Sequence, residues 1–446
     1  RTMLSGAPGL GDPMKTQAMS AGAFPDPNRT SMMVPEQGLT VSLIPGRDAS
    51  MANGPAREQF LVELTGAGQP EFGMGGTRTP MNLCLVIDRS GSMEGPPLEY
   101  VKQACSYVVD LLSPNDVLSI VTFEETVDVL MPPQRVTNKQ PIKDGIQRLM
   151  PGNTTNLYDG LALGMAQVAQ VSDPGRATRI VVLTDGDPTA GIKDFPSLVN
   201  HAAEIKNRGV TCTFLGFGPD YNEELLAAMA KKAGGNYYYI PRPELIPEVF
   251  RTELEKLMTV VARNLKLDLK LSRWVTLRSS QADRPGDREF SIPLTDIERG
   301  AAIQQVFDFD FPNHPLGHYR VAAGRLTYED CLSGKQESVD LDFVMEFTAD
   351  KARYSVPVNP AVRQAADIAM ASKTIEKTIM GLKTQALTPG MAMAELQKTQ
   401  ALLLQEGRTA EAQEVTLALR AIQSGDAGTA EKTLIGTQLH LDQGKR

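Results

Sequence analysis

This 446-residue chain is expected to adopt an α/β fold. A doubly wound, mainly parallel sheet over residues 80–263 is inserted in an antiparallel β-sandwich formed by 38–79 and 264–350. A C-terminal helical bundle follows over 351–446. Three observations carry this expectation. Between 81 and 263, almost unbroken apolar runs alternate with stretches of helical spacing, as in strands buried on both faces and joined by crossover helices. From about 264 the apolar period changes to 2, the pattern of half-buried antiparallel strands. Beyond 350 the spacing is helical again, and 41% hydrophobic against 22% charged residues supplies real cores.

Taken in order, residues 1–37 are rich in Gly, Pro, Met, Ser and Thr without a period, and read as a disordered arm. Short β-type runs follow at 39–44 and 59–65, separated by a polar stretch at 45–57. The strand 81–88 (MNLCLVID) precedes a helix at 98–112 with apolar spacing through Val101, Ala104, Cys105 and Val108. Strands are expected at 117–123 and 127–131, helices at 139–149 and 157–171, then strands at 179–185 and 210–217 around a helix at 196–207. The α/β unit closes with a helix at 223–233, a strand at 237–240 and a helix at 244–261. The sandwich takes strands at 265–271, 274–277, 290–292, 303–309, 319–326 and 339–347, with Trp274 as a core or interface residue. In the helical region, Asn359-Pro360 and Thr388-Pro389 are N-cap and N1 pairs, and Gly407 and Gly425 separate further helices.

Charge and composition narrow the function. With 45 basic against 53 acidic residues, the net charge of −8 argues against nucleic acid or an anionic membrane as partner. No apolar run reaches the roughly 18 residues of a membrane span. Cys84, Cys105, Cys212 and Cys331 form no Cys-x-x-Cys pair and read as small hydrophobes in a reducing compartment. His314 and His318 are separated by Pro315 and Gly317, which break the helix a two-histidine metal site would need.

One constellation carries chemistry. Asp88, Ser90 and Ser92 alternate directly after the first buried strand (DRSGS), offering oxygen ligands suited to Mg²⁺. Thr155 stands before a helix in GNTTNLYDGL, and Asp185 ends another strand in RIVVLTDGD. In open α/β sheets, ligands bind outside the carboxyl ends of the strands, where Asp88 and Asp185 fall.

Residues 81–263 resemble a von Willebrand factor A domain, a Rossmann-like fold, and these five positions match its metal-ion-dependent adhesion site. The resemblance implies that Ser90, Ser92 and Thr155 contact the cation, while Asp88 and Asp185 act mainly through bound waters. Thr155 takes the ligand role ahead of Thr154, because Asn156-Leu157 then fall in their usual place. The wider arrangement is similar to soluble bacterial proteins related to the inter-α-trypsin-inhibitor heavy chains and often labelled calcium-activated chloride-channel-like. Without a membrane span, no channel is expected here. The implied function is a non-enzymatic scaffold or adaptor whose Mg²⁺, with Mn²⁺ or Ca²⁺ as alternatives, binds an Asp or Glu carboxylate of a partner protein. An ATPase, kinase or phosphatase system is a further partner class. A cytoplasmic setting is expected, with a removed leader left open by a sequence that begins without Met.

Two other readings compete. Asp185-Gly186-Asp187-Pro188-Thr189 fits the Asp-x-Asp-x-Thr string of haloacid-dehalogenase-type phosphatases, with Asp185 as nucleophile and Asp187 as general acid/base. That motif normally follows the first strand of its domain, and it leaves Asp88, Ser90, Ser92 and Thr155 unexplained. The other reading is a fold whose metal site is unused, with the same residues merely capping loops and helices.

Overall fold

The computed structural model describes residues 31–32, 38–67, 79–171, 173, 176–218, 221–279 and 288–445. The expected arm at 1–37 lies outside them except for Ser31–Met32, whose backbone pairs with Ser42 and Val41. Among the described residues the strands form three sheets.

The α/β sheet runs, edge to edge, Gly234–Ile240, Thr211–Phe217, Ala177–Thr184, Met81–Asp88, Val117–Phe123, Val127–Arg135. Only the last is antiparallel to its neighbour. The chain enters at the middle, winds out to Val127–Arg135, crosses back and winds out the other way. The direction reverses between Met81–Asp88 and Ala177–Thr184, so both candidate aspartates stand at the switch point where such sheets open a crevice.

Alternation along Met81–Asp88 explains its unbroken apolar run. Leu83, Leu85 and Ile87 face the helices Pro96–Leu111 and Ile246–Met258, while Cys84 and Val86 face Leu157–Val168. Each such side chain contributes about 1.5–3 kcal/mol on burial. Helix Leu157–Val168 approaches closely through glycines: a Cβ at Gly164 would lie 2.7 Å from Val86 Cγ2.

Several boundaries differ from expectation for identifiable reasons. The helix expected at 244–261 stops at Met258, because Val260 and Val261 open the strand Val260–Leu271, where β-branched side chains fit the pleat. The strand from Val127 continues through Pro132 and Pro133 to Arg135, which a sheet edge tolerates. Within the polar stretch 45–57, Ala49–Met51 is a strand, paired in parallel with Glu346, Phe347 and Thr348.

The sandwich packs two sheets. One holds Leu39–Pro45, Ala56–Gly66, Ala302–Phe311 and Thr276–Ser279 beside Ser31–Met32. The other holds Glu289–Pro293, Val260–Leu271, Gly317–Asp330, Lys335–Thr348 and Ala49–Met51, with Ile297–Glu298 paired on Val260–Leu271. Their inner faces share a core including Phe60, Leu64, Leu267, Phe307, Phe309 and Phe343. Ala56–Thr65 pairs with Ala302–Phe311, and the chain leaves the sandwich after Ala56–Gly66 and re-enters it at Val260–Leu271 in the opposite sheet, so the α/β unit is an insertion. Trp274 packs on His314, with ring centroids 4.0 Å apart, and on Phe311 and Phe347.

The two units are locked together by a buried ion pair. Arg179, in the α/β strand, meets Asp296 of the sandwich, with Lys206 Nζ 3.8 Å from the same carboxylate. Both members of the Arg179–Asp296 pair are almost fully buried.

Pro360–Lys383, Pro389–Gln405, Thr409–Gln423 and Ala427–Asp442 form a bundle in which each helix packs on the next and the last returns to the first. Asn359 and Thr388 cap as expected, accepting from the amides of Ala361 and Met391. The bundle merges with the α/β unit: Ile375, Ile379 and Leu434 share a core with Leu226, Met229 and Tyr237. Lys432 donates to Tyr221 O at 2.8 Å and Glu223 at 2.6 Å, its ammonium lying over the Tyr221 ring. Val362 and Ala365 pack on Leu61 of the sandwich.

The sheet edge Gly234–Ile240 is therefore covered, with Tyr237 buried and Tyr238 and Tyr239 half-buried. Tyr237 and Tyr221 share a hydroxyl hydrogen bond of 2.8 Å, and Tyr238 donates to buried Glu253 at 2.8 Å. All four cysteines are free, and Cys84, Cys105 and Cys212 are buried as small hydrophobes.

Candidate metal centre

Three loops at the carboxyl edge of the α/β sheet build the site. Met81–Asp88 ends in a buried aspartate, and the chain turns at once into a short 3-10 helix, Gly91–Met93, that raises Ser90 and Ser92 above the strand. Ala177–Thr184 delivers Asp185 from the neighbouring strand. Thr155 comes from the segment before helix Leu157–Val168, where Asn156 is the N-cap and accepts from the Asp159 amide.

The side chains converge. Ser92 Oγ donates to Asp185 Oδ1 at 2.8 Å, Ser90 Oγ lies 3.5 Å from the same oxygen, and the two serine hydroxyls are 3.1 Å apart. Thr155 Oγ1 sits beside the Asp185-Gly186 turn, 3.6 Å from where a Gly186 Cβ would stand. Asp88, Ser90, Thr155 and Asp185 are buried, and Ser92 is exposed at the mouth. Among the described residues, no group of three or more His, Cys, Asp or Glu side chains is placed to hold a metal. This cluster differs in kind, with two carboxylates and three hydroxyls.

Asp88 is held rigidly, its Oδ1 accepting from the Ser90 amide at 2.8 Å and its Oδ2 from Thr184 Oγ1 at 2.6 Å. Burial pushes its carboxyl up to about 7, against the pull of those two hydrogen bonds, and nearby Asp185 adds to the rise. An anion so poorly compensated by protein groups favours a proton or a cation beside it.

Sequence reasoning missed the residues that fasten the loops. Thr184, inside the strand expected at 179–185 and the last residue of the observed one, is among them through its hydrogen bond to Asp88. Glu124 accepts from the Asn153 amide through Oε2 at 2.9 Å and from the Asn156 amide through its backbone oxygen at 3.1 Å. The Asn153 hydrogen bond is the main cause holding its carboxyl below the usual range. Arg89 bridges Glu124 and Asp128, each at 3.2 Å. Thr189 binds Thr155 from both sides, accepting from the Thr155 amide through Oγ1 at 2.9 Å while its own amide donates to Thr155 O at 2.9 Å. The available signal was the threonine just before Asp185 and the acidic pair after strand 117–123; neither has a spacing that singles it out. Asp159 serves the helix start, accepting from Asn156 Nδ2 at 2.8 Å. Asp187 is exposed.

Residues 82–252 match the family model of the von Willebrand factor type A domain. This chain carries a von Willebrand factor A domain. Such a domain is a metal-dependent adhesion fold used in protein–protein interaction. An uncharacterized protein of Synechocystis is 36% identical over 196 residues, covering 44% of this chain and 46% of the relative. The bovine inter-alpha-trypsin inhibitor heavy chain H4 is 29% identical over 164 residues, covering 35% of this chain and 18% of its own length. Both matches thus span less than half of the relative. A solved structure described as von Willebrand factor type A from Catenulispora acidiphila superposes with a TM-score of 0.69 at 18% identity, covering 86% of this chain and 91% of that one. At that identity the likeness shows the fold, and it extends well beyond the von Willebrand A domain. Among the described residues, no helix is long and apolar enough to cross a membrane.

Proposed function

We propose that this chain is a divalent-cation-dependent protein-binding scaffold, with Mg²⁺ held at Asp88, Ser90, Ser92, Thr155 and Asp185 and completed by an acidic residue of a partner protein. The observation that carries the reading is the spacing of Ser90 Oγ, Ser92 Oγ and Asp185 Oδ1, at 2.8–3.5 Å from one another. Adjacent oxygens around an octahedral ion with bonds of about 2.1 Å lie about 3.0 Å apart, a spacing the two serine hydroxyls already have, and Asp185 stands beside them to act through a bound water. Mn²⁺ accepts the same oxygen set, and Ca²⁺ a slightly wider one.

When bound, the cation supplies a positive centre that draws a partner carboxylate into the mouth beside Ser92. The chain's own residues orient that junction. Ser90, Ser92 and Thr155 offer uncharged oxygens and leave the cation electron-poor, Asp88 and Asp185 balance its charge, and Thr184 fixes the Asp88 carboxylate. The outcome is recognition, not turnover, and ATPase, kinase or phosphatase systems are partner classes to test. A phosphatase arrangement would put the cation between Asp185 and Asp187; instead Asp185 Oδ1 faces the two serines and Asp187 is exposed.

Two expected outcomes test the role of Asp88. Thr184→Val removes the hydroxyl that orients its carboxylate, and Mg²⁺ affinity measured by calorimetry should fall roughly 10–100-fold with the fold intact. Unchanged affinity would remove Asp88 from the site. Because the metal-free Asp88 carboxyl is pushed up to about 7, protons compete with the cation as pH falls through that value. Mg²⁺ affinity should therefore weaken steadily from pH 8 to pH 6, and a flat profile would contradict the assignment.

A further inference from the structure

The loops that supply the candidate ligands carry a charge and apolar pattern of their own. Beyond Asp88 and Asp185, Glu94, Glu125, Asp187 and Asp194 are exposed acids, against Lys193 and Arg148 as exposed bases. Arg89 is committed to Glu124 and Asp128. A divalent ion offsets the two buried aspartates and leaves the rim acidic. Surface charges act over about 8 Å at physiological ionic strength, so a second carboxylate arriving next to the first meets this rim.

Large apolar side chains are exposed on the same loops and at the helix start that follows one of them: Met150 at 69%, Ile192 at 42%, and Phe195, first residue of helix Phe195–Asn207, at 42%. These loops are tied into one unit, since the Thr189 and Ala190 amides both donate to Thr155 O. Gly191 also packs so tightly on Asn156 that a Cβ there would lie 2.2 Å from Asn156 Oδ1. Ile192 is thereby carried by the frame that holds Thr155, and the segment after Met150 is tied to the neighbouring loops by the Gly152 amide donating to Arg89 O and the Asn153 amide to Glu124.

We infer that the partner segment read at this site presents one isolated carboxylate with apolar side chains next to it and basic side chains beyond, and that acidic clusters are rejected. This rests on the cation site proposed above. The single carboxylate completes the cation, its apolar neighbours cover Met150, Ile192 and Phe195, and basic residues further out match the acidic rim.

The test uses the full chain and four fluorescein-labelled nonapeptides, read by polarisation in Mg²⁺ and in EDTA. The first has a central Asp, Leu and Phe beside it, and Lys at the outer positions. The second replaces the outer Lys by Glu, the third replaces Leu and Phe by Gly, and the fourth replaces the central Asp by Asn. The first should bind in Mg²⁺ at least about tenfold more tightly than the others, as burial of one or two apolar side chains or one mismatched charge cluster implies, and EDTA should abolish binding. Ile192→Ser with Phe195→Ser should lose about tenfold in peptide affinity while calorimetric Mg²⁺ binding stays unchanged. Equal or tighter binding of the Glu-flanked or Gly-flanked peptide, no effect of the double variant, or no peptide bound by Mg²⁺-loaded chain overturns the inference while leaving the cation site standing. Failure of the chain to bind Mg²⁺ at all overturns the cation site itself.

Discussion

Ser92→Ala combined with Thr155→Ala is expected to weaken Mg²⁺ binding by at least about 100-fold, beyond the 10–100-fold typical of groups that only orient a ligand. The variant should fold normally. Ser92 is exposed at the mouth, and Thr155 is anchored by its amide and carbonyl through Thr189. Asp187→Asn should bind almost as the parent does. Calorimetric titration with Mg²⁺ and Mn²⁺, with thermal melts of the metal-free proteins, separates lost ligands from lost structure. If Asp187→Asn abolished binding while the double variant retained it, the cation would belong to the Asp-x-Asp loop, and phosphatase assays would replace the search for a partner.

Asp296→Ala is expected to cost about 3–5 kcal/mol of stability, the usual effect of stranding one member of a buried ion pair. Asp296 accepts from Arg179, from the Asn264 amide at 3.2 Å and from Thr211 Oγ1 at 3.4 Å. Its loss leaves the nearly inaccessible Arg179 guanidinium without its counter-charge between two units. Arg179→Met with Asp296→Leu should recover most of the loss, because well-packed apolar residues replace such pairs at little cost. Urea unfolding at pH 7 measures both.

The pair also sets an acid limit. Burial alone would raise the Asp296 carboxyl, but Arg179, Lys206 and Lys445 outweigh it and hold the group below its ordinary value. A carboxylate depressed in the folded state contributes stability above its unfolded value, about 4, and loses it as pH falls through the folded value. The parent chain should therefore lose more stability than Asp296→Ala as pH falls below about 4. Parallel curves would assign the interface stability to other contacts.

Much of the candidate site was legible because its parts are local. Asp88, Ser90 and Ser92 lie within five residues, and Thr155 and Asp185 each sit at the end of an element with a strong apolar pattern. The supporting shell was not legible. Thr184, Glu124 and Thr189 act through pairings across the sheet or between loops, and a threonine that orients Asp88 has the same sequence neighbourhood as one that merely ends a strand. Similarly, Val260 and Val261 suited either the last turn of a helix or the first residues of a strand; pairing of Val260 with Glu298 decided it.

The sequence by itself determined the order of elements, the change of period that separates sheet types, and the arrival of five oxygen-bearing side chains at one sheet edge. Tertiary structure decided how the units are joined. Nothing local marks Arg179 for Asp296, Lys432 for Tyr221 and Glu223, or Ile375 and Leu434 for the core behind Tyr237. Helical periodicity fixes which face of a helix is buried but not what it is buried against, and a charged side chain finds its partner only when folding brings distant segments within a few ångströms.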